Sequence, residues 1–447
     1  MSGQVRIIGA GLAGCEAALL LADAGVPVIL YEQKPQHFSP AHKKEGFAEL
    51  VCSNSLKADR LDSASGLLKA EMRLLGSHLL DAAETARVAA GGALAVDRDV
   101  FSETVTRMVE SHPKIEVRRE EITDLSLAQQ GILLVATGPL TEGGLAAAIA
   151  EKTGQNSLSF FDAAAPIVTA ESIDRSKVFA ASRYGRGSDD YLNCPFDKAG
   201  YEAFYEALVG AERATLHDAD KVKVYEGCMP VEIMARRGAD TLRYGPLRPV
   251  GLINPATGHR PWANVQLRSE DKENSRYNLV GFQTNLKFGE QKRVFSMIPG
   301  LEQAEFVRYG VMHRNSFLNS PVVLAEDLSL RCDRQIFFAG QITGVEGYME
   351  SAACGLIAAH QILRRLAGKP PLALPAETMC GALMAHLANE NEDFQPMGSN
   401  MGLLPPLPER VRDKRLRYEQ IALRAVAAMK EFLRAEGIAQ TAREEER

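Results

Sequence analysis

The chain has 447 residues, 46% hydrophobic and 24% charged, an ordinary globular composition too long for a single hydrophobic core, so two domains are expected. Its formal net charge of −6 argues against bulk, nonspecific polyanion binding and leaves room only for a local basic face. The longest apolar stretch, Ala17 to Tyr31, is interrupted by Asp23, Gly25 and Pro27, and no secretory leader pattern precedes the first strand, so a cytoplasmic protein without a membrane segment is expected.

The first element is an apolar β-branched run, Val5 to Ile8, which enters Gly9-Ala10-Gly11-Leu12-Ala13-Gly14 and continues as an Ala- and Leu-rich helix from Cys15 to Ala24. In this G-x-G-x-x-G spacing Gly9 permits the tight turn and Gly11 lets the backbone approach a pyrophosphate. Gly14 lets helix and strand pack closely, and the helix N-terminus attracts the anion. A ligand-free turn would also use glycines. Here, however, a second strand follows, Pro27 to Tyr31, and it ends at Glu32. That acid lies about 20 residues beyond the first glycine, where a ribose-binding carboxylate is expected, so the unit reads as a dinucleotide site.

His37 to Phe47 is a polar loop near Pro35 and Pro40 that carries Lys43 and Lys44. After Cys52, the small polar residues Ser53, Asn54 and Ser55 are good helix caps, which places Cys52 just before a short helix. Gly66 to Leu80 reads as a helix. Asp99 to His112 reads as another, with Phe101, Val105, Met108 and Val109 on one face. Ile115 to Arg118 is a short strand, and Ile132 to Val135 a buried one running into Ala136-Thr137-Gly138.

From about Ser182 the pattern becomes irregular, and 183–295 reads as an inserted α+β domain. It carries Lys221, Lys223, Arg236, Arg237, Arg243, Arg248 and Arg260, interleaved with Tyr225, Tyr244 and Trp262. Such a mixture suits a nucleic-acid face or a plain solvated basic surface. Within it, Cys228 precedes Met229-Pro230-Val231-Glu232. Pro230 suits the first helical position and Glu232 the first turn, so Cys228 is expected at a helix mouth, where the dipole favours thiolate; Cys52 is read in the same setting. An inert buried thiol is the alternative for each. The seven cysteines (15, 52, 194, 228, 332, 354 and 380) include no C-x-x-C pair, which points to free thiols, with no disulfide frame and no metal site.

A second strand–glycine–helix unit follows: Gln335 to Ala339, Gly340-Gln341, Gly344 to Tyr348, then a helix from Glu350 to Leu366. A late unit of this kind closes over the ribityl-pyrophosphate and ring of FAD, and its helix N-terminus can stabilise negative charge on the flavin. The expected fold is thus α/β, a discontinuous Rossmann-like FAD-binding domain of the glutathione-reductase type. It comprises 1–182 and 296–447 around the insertion. A proline-rich loop (Gly402 to Pro408), a basic amphipathic helix (Glu409 to Ala435) and a charged tail end the chain.

Several segments resemble the folate- and FAD-dependent tRNA (uracil-5-)-methyltransferases. They are Gly9 to Glu16, Cys52-Ser-Asn-Ser-Leu-Lys57, Tyr225-Glu-Gly-Cys-Met-Pro230, Leu242 to Val250, Met312-His-Arg-Asn315, Gly340 to Tyr348 and Phe394-Gln-Pro-Met397. The resemblance spans nearly the whole chain. It implies methylation of C5 of the T-loop uridine at tRNA position 54, with 5,10-methylenetetrahydrofolate as carbon donor, reduced FAD as reductant, and NADPH or NADH to reduce the flavin. FAD would be bound by Gly9 to Gly14, Glu32, Gly340, Gln341 and Gly347. Cys228 would be the nucleophile at uracil C6 and Cys52 the second thiol, assisting, protecting or removing the C5 proton. Tyr348 would stack on the pterin, with Glu346, His313 and Arg314 completing that pocket. The implied partners are tRNA and folate, with no obligate protein partner. Other readings are the related flavin enzyme that modifies wobble uridines, which is usually longer at its C-terminus, and a noncatalytic flavin-bearing tRNA-binding protein. A disulfide oxidoreductase would need the missing C-x-x-C pair.

Overall fold

The computed structural model describes residues 3–185, 189–214, 229–389, 391 and 394–438. Val5–Ile8 is the middle strand of a five-stranded parallel sheet, ordered Ile336–Phe338, Leu133–Val135, Val5–Ile8, Val28–Glu32, Ile115–Arg119. Its inner strands are buried on both faces because helices cover both, whereas the edge strand Ile115–Arg119 is half polar and partly exposed. This is the expected Rossmann-like α/β arrangement. The chain leaves the sheet after Leu133–Val135 and returns to its edge only at Ile336–Phe338, so the fold is discontinuous.

The first helix, Leu12–Asp23, crosses the long helix Tyr348–Leu366 at very short range. A Cβ on Gly14 would lie 1.9 Å from the Gly9 carbonyl oxygen, and one on Gly355 2.2 Å from that of Ala13. Both glycines are therefore required by backbone contact rather than by conformation.

A second sheet, six-stranded and antiparallel, runs in the order Phe179–Ala180, Tyr191–Phe196, Ala263–Ser269, Arg276–Leu279, Ile167–Thr169, Phe306–Arg308. It draws strands from both sides of the expected 183–295 segment, because Ile167–Thr169 and Phe306–Arg308 pair with each other and extend the sheet. Helices Lys198–Val209, Val231–Ala235 and Phe288–Phe295 contribute Phe204, Leu208, Val231 and Phe295 to its separate apolar core. Along the central strand Ala263–Ser269, Ala263, Val265 and Leu267 enter that core. Asn264, Gln266 and Arg268 take the opposite face, and they too are buried.

Three local expectations are corrected. The helix expected over 66–80 is two, Ala64–Leu74 and His78–Thr85, because Gly76 takes φ 88° and Ser77 caps the second. The segment after Cys52 is the strand Ser55–Ala58, with no helix. The C-terminal helix starts later, at Lys414, capped by the Asp413 side chain on Leu416 N–H, and runs to Glu436. A helix over Met379–Ala388 had no sequence forecast; buried Glu71 accepts from its Met379 and Cys380 N–H groups. Among the described residues, no helix is long and apolar enough to cross a membrane.

The close crossing makes a stability prediction. Gly355→Ala should force the two helices apart and cost about 1–3 kcal/mol, as overpacking does. A urea midpoint equal to that of the parent protein would refute it.

Candidate active site

A deep pocket opens where the two glycine units meet. Gly9 to Ala13, Glu32, Ala136 to Gly138, Gly340, Gln341 and Tyr348 line it. Gly9 takes φ 100°, and a Cβ there would strike Ala136 O at 2.6 Å; a Cβ on Gly11 would meet nothing within 4 Å, so Gly11 faces open space. No side chain caps the first helix at Gly11 or the long helix at Gly347, which leaves first-turn N–H groups of both available to an anion. Glu32 accepts from Ala10 N–H at 2.9 Å and Lys34 N–H at 3.0 Å, holding the turn in place. The geometry fits a bound dinucleotide: an open pyrophosphate approach, exposed amides and a carboxylate at the strand end.

His42 and Glu49, from the loop after Pro35, line the same pocket. His42 Nδ1 lies 2.6 Å from Ser39 Oγ, and burial, reinforced by Lys34, pushes the imidazole down to about 4, so it is neutral at physiological pH. Neither residue carries a sequence signal beyond a polar loop.

Cys52 stands at the Tyr348 end of this pocket in a pinned backbone. The Tyr348 hydroxyl accepts from Cys52 N–H at 2.7 Å and Ser53 N–H at 3.1 Å. Arg98 donates to Leu50 O and Cys52 O, and Arg308 to Val51 O and Cys52 O. Arg98 is itself fixed by Glu270 at 2.6 Å. Burial, then the nearby Asp162 carboxylate, pushes the Cys52 thiol up to about 12, against the opposing pull of Arg308 and Arg98. The expected helix mouth is corrected: the strand Ser55–Ala58 follows Cys52 instead, and burial works against its thiolate.

Glu346 is buried and accepts from Gln341 Nε2 at 2.6 Å; burial, then Asp162, raises its pKa. Gly347 sits against Glu350, whose carboxylate takes Lys57 Nζ at 2.8 Å and Ser399 N–H at 3.0 Å. Burial disfavours the charge on Glu350, but Lys57 and Ser399 outweigh it and hold the group ionised. The positive end of the long helix thus already carries a carboxylate, neutralised by Lys57. His313, opposite Asp162 in the strand pair Leu158–Ala163 and Met312–Phe317, is kept neutral by burial and Arg308. Arg314, the next residue on that strand, points to the other face and is exposed. Gly14 packs under the turn without lining the pocket.

Cys228, with Lys221, Lys223 and Tyr225, lies outside the described residues. The segment after it forms only a short helix, Val231–Ala235, with Pro230 as cap; Glu232 is buried and accepts from Thr284 Oγ1 and Asn285 N–H. Arg236, Arg237, Arg248 and Arg260 are exposed on the second domain, with Tyr244 83% exposed. The Arg243 guanidinium stacks 3.8 Å from the ring centroid of Trp262.

With this geometry in place, similarity to known proteins decides the family. The family model of glucose inhibited division protein A matches residues 4–370. The methylenetetrahydrofolate–tRNA-(uracil-5-)-methyltransferase TrmFO of Desulfitobacterium hafniense is 56% identical over 435 residues, 97% of this chain and 99% of that protein. Those of Acetivibrio thermocellus and Enterococcus faecalis are each 54% identical, over 97% and 95% of this chain and 99% and 98% of theirs. The chain belongs to this methyltransferase family. The solved structure of Aquifex aeolicus GidA superposes with a TM-score of 0.67 at 17% identity, over 96% of this chain and 73% of that one, a likeness of fold.

The protonated thiol has a direct readout. In the protein free of nucleic acid, maleimide alkylation of Cys52, followed by peptide mass spectrometry, should speed up about tenfold per pH unit from roughly pH 7 to 10 without levelling off. A plateau below about pH 9 would mean that the site stabilises thiolate after all.

Proposed function

We propose that the protein methylates C5 of the T-loop uridine, position 54, of tRNA. Its carbon donor would be 5,10-methylenetetrahydrofolate, its cofactor FAD, and its electrons would come from NADPH or NADH. The observation that carries this reading is 53–56% identity to methyltransferases of that name over 95–97% of the chain. The pocket supports it. Gly9 to Gly14, Glu32, Gly340, Gln341 and Gly347 supply the turn, the open amides and the carboxylate that FAD needs. When bound and reduced, the flavin supplies the two electrons that make a methyl of the donated methylene; uridine, donor and reduced flavin give 5-methyluridine, tetrahydrofolate and oxidised flavin.

The chain's own groups divide the remaining work. Uracil C5 becomes nucleophilic once a thiolate adds at C6, and Cys228 takes that role. Cys52 takes the second role: to remove the C5 proton its thiol must first lose its own, which burial and Asp162 oppose and Arg308 and Arg98 favour. Tyr348, its hydroxyl tied to the Cys52 backbone, offers its ring as a fixed wall on which the pterin stacks, and Glu346 and His313 border the same end. Arg314 belongs to this pocket only as a residue of the adjoining surface. The exposed arginines of the second domain meet tRNA phosphates.

The decisive experiment supplies labelled donors to the purified protein and tRNA. Label from methylenetetrahydrofolate should enter 5-methyluridine, dependent on NADPH or NADH, and none should enter from S-adenosylmethionine. Cys228→Ala should retain flavin colour yet lose methylation by several orders of magnitude. Transfer from S-adenosylmethionine without folate sinks the reading, and near-normal Cys228→Ala activity beside a dead Cys52→Ala reverses the two thiol roles.

The RNA face is tested separately. Plotted log–log against salt, tRNA affinity should fall linearly, each phosphate contact adding roughly 0.7–0.9 to the slope. Changing Arg236 and Arg237 to Glu should weaken binding with the flavin retained. Unaltered affinity moves the face to the basic helix Lys414–Glu436.

A further inference from the structure

The polar face of strand Ala263–Ser269 is unusual because it is buried. Asn264 is 0%, Gln266 9% and Arg268 6% exposed, at positions where an apolar residue would normally cover a sheet. Each has a defined partner. Asn193 Oδ1, from the neighbouring strand, accepts from Asn264 Nδ2 at 3.0 Å and Gln266 Nε2 at 3.1 Å. Gln266 Oε1 accepts from Arg183 Nε at 2.8 Å, and the Arg183 guanidinium also holds the Arg248 and Val250 carbonyls of the exposed basic loop.

The last member, Arg268, reaches out of its own sheet. Its Nε donates to Asn54 Oδ1 and its Nη2 to Ser53 Oγ, both at 2.8 Å. Asn54, fully buried, donates in turn to Val96 O at 3.1 Å and Ser269 O at 2.9 Å. The two residues that follow Cys52 are thus gripped by a planar fork from the second domain, while Tyr348 holds the Cys52 and Ser53 amides from the first. Burying a guanidinium is costly, and an aliphatic side chain would fill the same stem volume. What an aliphatic residue cannot do is engage two acceptors on one loop at once, and a lysine ammonium lacks that planar geometry as well.

We propose that Arg268 is a positioning residue for methyl transfer: through Ser53 and Asn54 it fixes the Cys52 thiol beside Tyr348, in register with the second domain. The proposal rests on the reaction assigned above and concerns a residue that acts only through Cys52. The side chain that presents the thiol therefore belongs to the domain whose exposed arginines face the tRNA.

The test uses full-length, flavin-loaded protein carrying Arg268→Lys, Ser53→Ala or both. Arg268→Lys should lower kcat about 10²-fold, the scale set by a misplacement of about 1 Å, with KM for tRNA and the flavin spectrum little changed. In the same sample, alkylation of Cys52 should accelerate relative to that of exposed Cys332, since the loop is released. Ser53→Ala, which loses one bond of the fork, should fall in between. The double variant should be no worse than Arg268→Lys, because both remove one interaction. Unchanged kcat and unchanged Cys52 alkylation in Arg268→Lys overturn the proposal. So does a loss of activity that merely follows loss of flavin, with the two substitutions adding independently. A parent protein that fails to methylate tRNA overturns the assigned reaction instead, and the alkylation comparison still decides whether Arg268 tethers the loop.

Discussion

Glu32 sets the geometry on which the rest depends. Its two carboxylate oxygens take Ala10 N–H and Lys34 N–H, so the glycine turn and the start of the following loop hang from one buried side chain. A buried carboxylate without such donors would be strongly penalised, and two backbone amides would lose their acceptor with it. From that fixed point the first helix runs inward, Gly14 letting it pack against the Gly9 turn and Gly355 letting the long helix lie against Ala13. The long helix then places Tyr348 at its first residue, and Tyr348 in turn holds Cys52. A chain of short backbone contacts thus connects strand Val28–Glu32 to the thiol.

Electrostatics at the thiol end balance two acids against two bases. Asp162 and Glu346 oppose thiolate, Arg98 and Arg308 favour it, and burial decides for the protonated form. The arginines are occupied with backbone carbonyls of residues 50–52, so their charge serves first to hold the loop. An anionic group entering here meets cations already fixed in place, with little reorganisation left to make.

What could be read in the sequence follows from how local each cause is. The G-x-G-x-x-G turn, its flanking strands and the helix Arg98–Glu110 obey short-range rules, and they stand where the spacing puts them. Ser53, Asn54 and Ser55 look like caps, but Asn54 is used by Arg268, a partner far along the chain, and a tertiary bond overrode the local preference. The limits of the second sheet escaped for the same reason, since Ile167–Thr169 and Phe306–Arg308 have no local mark of belonging together. The pocket's glycines and Glu32 were legible, whereas His42, Glu49, Asp162, Arg98 and Arg308 converge only in three dimensions.

The contact between Arg243 and Trp262 has a practical side. Trp262 is the only tryptophan in the chain, and it sits 37% exposed among the basic residues of the second domain, its ring covered by one guanidinium. Indole emission depends on what lies against the ring. The protein therefore carries an intrinsic optical probe at a single known place, and events on that face can be followed in time without a label.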